Sequence, residues 1–218
     1  MSFLALKIDL HVHTCYSYDG VTTPKQVIDY SRKQGLDGVA ITDHNTIQGA
    51  LELMNNKELM VIPGIEVTTL QGHVLALNVT KAIPPSLSVL ETIQKTHELG
   101  GIAIAAHPSV MLKRLRMQMC RDLSFDAIEA INSAAFPFFL STYLNRRVAI
   151  NLNLPQTGGS DAHYAPEIGS AYTLVDADPE IDEIAKAITK GDVTPFGKAV
   201  SWKVRFEKEV LRLKRRLH

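Results

Sequence analysis

Short apolar runs alternate with helical patterns along nearly the whole chain, and this alternation limits the fold more than any other feature. The runs fall at residues 4–10, 38–42, 59–62, 74–79, 102–106, 127–131 and 156–160, and the third continues through Pro63-Gly64 to Val67. Helical patterns lie between them at 24–35, 46–57, 87–99, 109–121 and 138–152. A further edge strand at 172–175 and a helix at 181–189 follow. Thr23, Pro24 and Gly35 supply the N-cap, first position and stop of the first helix. Strands joined by helices form a parallel sheet covered on its faces, and about seven such units favour closure into a barrel over an open doubly wound sheet. No stretch rich in Pro, Gly and Ser divides the chain. One domain over residues 1–200 is expected, with residues 201–218 as a basic amphipathic helix belonging to it.

The metal-competent residues are sorted on this frame. In Asp9-Leu10-His11-Val12-His13-Thr14, strand alternation predicts that Asp9, His11 and His13 point the same way. Asp19 follows in the next loop, His44 ends the second strand and Glu66 the third. His107 ends the fifth, and Asp161 and His163 follow the seventh. His73 stands before its strand, so the segment after Glu66 is expected to fold it back over the same edge. Six of the eight histidines thus fall at strand ends. In parallel α/β folds the carboxyl ends of the strands share one edge, and that edge carries the active site.

Six imidazoles and three carboxylates exceed the needs of one ion and suit two or three, with Glu66 as the bridging carboxylate. Mixed histidine and carboxylate ligation fits Mn²⁺, Zn²⁺ or Fe²⁺ better than Ca²⁺ or Mg²⁺. Clustered ions of this kind turn a bridging water into hydroxide near neutral pH and stabilise charge on a phosphoryl oxygen. Hydrolysis of a phosphate ester by that hydroxide is the favoured chemistry, with amide or lactone hydrolysis next. Glu66 is then catalytic as the bridge. His163 and His44 are candidate acids for the leaving alkoxide where no third ion engages them. Lys113, Arg114 and Arg116, beyond His107, are candidate clamps for a substrate phosphate. Asp9 and Asp43 are candidate acceptors for ligand imidazoles.

Composition narrows the partners. Lys plus Arg equals Asp plus Glu at 23 each, so no global field marks a nucleic-acid binder. Aromatic residues, at 6%, are too sparse for a broad stacking groove. A small phosphorylated substrate is expected, with nucleic acid allowed but not favoured. Only Cys15 and Cys120 carry thiols, which excludes a disulfide framework. No leader pattern and no apolar run of bilayer length occur, so a cytoplasmic location without membrane contact is expected.

Asp9-Leu10-His11-Val12-His13-Thr14, Thr42-Asp43-His44, Gly64-Ile65-Glu66, Ala106-His107-Pro108 and Gly159-Ser160-Asp161-Ala162-His163 resemble, in this order, the motifs of the PHP family (polymerase and histidinol phosphatase). The resemblance spans residues 9–163. It implies a distorted seven-stranded (β/α)7 TIM-like barrel and a metal-dependent phosphoesterase acting on a small phosphomonoester, nucleotide-derived substrates included. Alternatives within the family are a histidinol-phosphate phosphatase and a nuclease acting on nucleic-acid ends. Position by position, the resemblance puts His11, His13, Glu66 and Asp161 on one ion, Glu66, His73 and His107 on a second, and Asp19, His44 and His163 on a third. Asp19 stands where many members carry histidine. Members acting on nucleoside 3′,5′-bisphosphates often carry a long helical insertion between the positions of His73 and His107; one helix fits there in this chain.

Overall fold

A computed structural model describes residues 5–108 and 123–216. The expected helix at 109–121, with Lys113, Arg114 and Arg116, lies outside the described residues. Strands β1 (Leu6–Val12), β2 (Gly38–Ile41), β3 (Met60–Thr68), β4 (His73–Leu77), β5 (Ile102–Ala105), β6 (Ala127–Asn132) and β7 (Gln156–Gly159) pair in chain order. Beyond β7 the chain closes onto the end of β1: the His13 amide donates to the Ala162 carbonyl and the Asp161 amide to the His11 carbonyl, both at 2.8 Å. At the other end β1 and β7 part, and the antiparallel pair of β8 (Ala171–Val175) and β9 (Val193–Gly197) enters between them. Thr173 bonds both the amide and the carbonyl of Gly158 at 2.9 Å through its hydroxyl. The result is a nearly closed barrel of the expected class, enlarged by two strands. The segment Pro195-Phe196-Gly197, which has the composition of a turn, is part of β9; its proline is tolerated because β9 is the last strand of the ladder.

The parallel order is broken at β4, which runs antiparallel to both neighbours. Residues 69–72 alone join β3 to β4, and a parallel connection needs a crossover of a dozen or more residues. A hairpin is the available solution, and it places the start of β4 beside the end of β3, with Thr68 opposite His73. His73 therefore reaches the common edge through strand direction and not through a loop folded back.

Among the described residues six helices accompany the sheet: α1 (Pro24–Lys33), α2 (Gln48–Leu53), α3 (Val89–Glu98), α4 (Phe138–Leu152), α5 (Ile181–Lys190) and α6 (Trp202–Arg216). Thr23 caps α1 in a reciprocal box with Gln26. Helix α2 is shorter than its sequence pattern because Asn56 accepts the backbone amides of Glu58 and Leu59 and fixes a turn there. Ile184 and Ile188 of α5 join Ile8, Leu10, Ile62, Leu75, Leu77 and Ile104 in one buried apolar cluster. Among the described residues no helix is long and apolar enough to cross a membrane.

Gly159 sets the closure next to the histidines. A methyl at this position would lie 2.4 Å from the His11 Cβ and 2.9 Å from its amide nitrogen. Gly159→Ala should therefore force β7 away from β1 and destabilise the fold by about 1–3 kcal/mol, the usual cost of overpacking. Urea unfolding measures this, and an unchanged midpoint would show that the contact is not tight.

Candidate metal centre

Six imidazoles and three carboxylates converge at the edge formed by the ends of β1, β2, β3, β5 and β7 and the start of β4. Glu66, at 0% exposure, is the hub. Its Oε2 lies 3.1 Å from His11 Nε2, 3.1 Å from His13 Nε2 and 3.2 Å from His44 Nδ1. Its Oε1 lies 2.7 Å from His73 Nδ1 and 3.1 Å from His107 Nε2. One carboxylate thus faces two groups of imidazoles with different oxygens. Asp161 Oδ1 completes the first group, 3.4 Å from His11 Nε2 and 3.2 Å from His13 Nε2. Asp19 Oδ2 forms an outer group, 3.1 Å from His163 Nε2 and 3.8 Å from His44 Nε2. All nine metal-competent residues of the sequence reading are therefore in one cluster. Asp161 and His107 hold backbone φ of 54° and 34°. Left-handed conformations in non-glycine residues carry strain that surrounding structure must support, and such strain gathers at functional sites.

The cluster fits divalent ions. Donors about 2.1 Å from one ion lie about 3.0–3.4 Å from each other in octahedral or tetrahedral arrangement, which is the spacing around Glu66 and Asp161. His11, His13, Glu66 and Asp161 form a compact four-ligand group; His44, Glu66 and His73 form another, and His13, His44 and His163 a third. His44 Nδ1 and His163 Nε2 are buried without a hydrogen-bond partner, each aimed at a carboxylate oxygen. Buried polar atoms are rarely left so, and a shared cation is the natural partner for both sides of such a contact.

The charges follow from the same geometry. Burial alone would raise the Glu66 and Asp161 carboxyls, but His11 and the neighbouring imidazoles outweigh it and hold both well below the usual carboxylate range. Burial alone would lower the His13 imidazole; its bonds to Asp161 and Glu66 lift it to about 9. His11 is raised as well, against burial, by Asp161, Glu129 and Glu66. Without an ion these protons supply the positive charge that the carboxylates require, and ligation replaces them. His44 goes the other way, down to about 4, chiefly through burial.

Further residues support the ligands. Glu129, mid-strand in β6, accepts from His11 Nδ1 at 2.8 Å and from the His107 amide at 2.8 Å. Asn132 donates to both Glu129, at 3.1 Å, and Asp161, at 3.2 Å. Ser17 touches His13 Nδ1, donates to Asp19 Oδ1 and accepts from the His44 amide. Glu167 accepts the His163 amide at 2.9 Å. Asp9 and Asp43 do not accept from imidazoles. The β1–β2 register shifts between Asp9 and Val12, and the Asp9 carboxylate takes the amides of Ser160 and Gly169, both at 2.8 Å. Burial raises its carboxyl to about 6. Asp43 binds the Thr14 amide and hydroxyl at 2.6 and 2.8 Å. Both carboxylates fix the loops that carry ligands.

Comparisons with known proteins bear on the fold and the family. Residues 143–193 match the PHP-associated family PHP_C. An uncharacterized protein of Methanocaldococcus jannaschii is 38% identical over 141 residues, covering 59% of this chain and 82% of that one. A 5′-3′ exoribonuclease of Haemophilus influenzae is 32% identical over 105 residues, 45% of this chain and 38% of that protein. The fold superposes on a two-domain protein of Bacteroides vulgatus containing a predicted PHP-like metal-dependent phosphoesterase. The TM-score is 0.75 at 17% identity, over 90% of this chain and 66% of that one. With its ordered motifs, its barrel and these matches, the chain belongs to the PHP family.

Proposed function

We propose that the chain is a metal-dependent hydrolase of phosphoric esters, acting on a small phosphomonoester with two or three Mn²⁺, Zn²⁺ or Fe²⁺ ions. The observation that carries this reading is the division of Glu66 between two imidazole groups at 2.7–3.2 Å. His11, His13, Glu66 and Asp161 would hold one ion, Glu66, His73 and His107 a second, and Asp19, His44 and His163 a third. Bound ions there supply a water activated near neutral pH and positive charge for the phosphoryl oxygens. The chain's own residues set the geometry. Glu129 fixes the His11 ring through Nδ1, which leaves Nε2 facing Glu66. The Asp161 carbonyl accepts from His163 Nδ1 at 2.9 Å and turns Nε2 toward Asp19. His163 and His44 would pass a proton to the leaving oxygen when they are not ligands.

One observation bears on the substrate. Phe136 and Trp202 form an edge-to-face pair with centroids 5.5 Å apart, and both rings are largely exposed. Phe136 lies four residues beyond Asn132, which bonds Asp161. Exposed rings suit stacking of a base, and a pair within reach of the site would favour nucleotide-derived monoesters and keep strand ends as the second reading.

The test is phosphate release by the protein loaded with Mn²⁺ and, separately, Zn²⁺. Nucleoside monophosphates, 3′,5′-bisphosphates, histidinol phosphate, sugar phosphates and a chromogenic diester form the panel. Release from one monoester class, lost in Glu66→Ala, is expected. Metal-loaded protein that is silent on every monoester but degrades single strands would replace the reading with the nuclease. Metal removal should also show in stability. At a free-ion concentration about 100 times Kd, loading contributes about 2.7 kcal/mol per site, or roughly 5–10 °C in Tm for a chain of this size. Calorimetry with and without chelator reads this, and identical Tm values would mean that the native state holds no ion.

A further inference from the structure

Helix α6 turns four of its cations toward the protein and not toward solvent. Arg205, Lys208, Arg212 and Arg215 are spaced three, four and three residues apart, which aligns them on one face. That face meets the protein. Arg205 donates to the carbonyls of Ala134 at 3.0 Å and Ser133 at 3.2 Å. Lys208, buried at 7% exposure, pairs with Glu167 at 2.7 Å. Arg212 Nε donates to the Asp19 carbonyl at 3.0 Å, and its Nη2 lies 3.5 Å from Asp19 Oδ2. Arg215 donates to the carbonyls of Gly20 and Cys15. Trp202, Phe206 and Leu213 face solvent instead. Guanidinium groups offer several fixed donors, which suits a helix that must satisfy loop carbonyls.

The contacts are selective. The loop after β1 carries Asp19, and Arg212 and Arg215 hold it at three carbonyls and one carboxylate. The loop after β7 carries His163, whose amide donates to the same Glu167 that pairs with Lys208. Among the described residues no hydrogen bond or ion pair joins α6 to His11, His73 or His107; those residues are held by Glu66 and Glu129.

We propose that α6 builds the outer metal position: Arg212 positions Asp19, and Lys208 positions His163 through Glu167, so this position is assembled only while the helix is docked. The inference rests on the metal reading above. Arg212 and Lys208 are positioning residues, acting on ligands and not on substrate.

The test counts ions. Mn²⁺ bound per chain is measured by titration calorimetry and by elemental analysis after gel filtration. The full-length proteins are wild type, Arg212→Ala, Arg212→Lys, Lys208→Met, the solvent-facing control Lys203→Ala, and Glu66→Ala. Three ions are expected in wild type and Lys203→Ala. Arg212→Ala and Lys208→Met should weaken one ion at least about tenfold, the scale of lost ligand support, with the other two unchanged. Arg212→Lys, which keeps a donor for the Asp19 carbonyl, should recover part of the loss; it also carries the test if Lys208→Met does not fold. Three ions of unchanged affinity in Arg212→Ala, equal weakening of all ions, or two ions in wild type would each overturn the inference. A wild type that binds no ion, as Glu66→Ala is expected to do at the inner positions, would overturn the metal reading itself.

Discussion

Glu66→Gln should lower turnover by on the order of 10³-fold or more while the barrel remains folded. The substitution preserves volume and removes charge. Glu66 is fully buried and meets five imidazoles with its two oxygens. A glutamine can accept with one atom only, so it serves one imidazole group and presents an amide N–H₂ to the other. That amide has no lone pair for an ion, and the bridge between the two groups is broken. The backbone around residue 66 is secured independently: its amide donates to the Asp43 carbonyl and its carbonyl accepts the Asn45 amide. Circular dichroism should therefore be unchanged, while metal content and kcat both fall. Wild-type turnover in this variant would remove Glu66 from the mechanism.

Glu129→Ala should produce the second largest effect. Metal affinity or activity should drop about 10–100-fold, the usual consequence of removing the partner of a ligand imidazole. His11 loses the acceptor that fixes its ring. The His107 amide and the Asn132 side chain lose an acceptor in the same step. Each buried donor left unmatched costs about 1–3 kcal/mol, so a lower urea midpoint accompanies the weaker binding. Glu129→Gln should keep one of the two acceptor contacts and fall between wild type and alanine. A titration showing alanine and wild type with equal metal Kd would place Glu129 in the scaffold alone.

What the sequence made legible, and what it concealed, follows from physics at particular residues. His11, His13, His44, Glu66, His107, Asp161 and His163 could be placed because apolar β-rich runs end where they stand, and strand ends share an edge. His73 resisted because strand direction is not encoded in apolar periodicity; the four residues before it were the available clue that β4 turns back. Glu129 was hidden in Ala127-Ile128-Glu129-Ala130-Ile131, although a carboxylate in a fully buried strand always needs a donor. The inward face of α6 was not legible because amphipathic helices usually bury their apolar stripe. Here the neighbouring surface is made of loop carbonyls and carboxylates, and the 205-208-212-215 stripe is the face that matches it. The same contacts weaken the case for a nucleic-acid groove along the tail, since four of its cations already serve Ser133, Ala134, Cys15, Asp19, Gly20 and Glu167.

The central claim is that Glu66 joins two metal positions. Anomalous diffraction from crystals of the protein grown with Mn²⁺ tests it most directly. The account predicts one peak among His11, His13, Glu66 and Asp161 and a second among Glu66, His73 and His107, with a different Glu66 oxygen toward each. Saturated crystals with no peak in bonding range of Glu66 would contradict it.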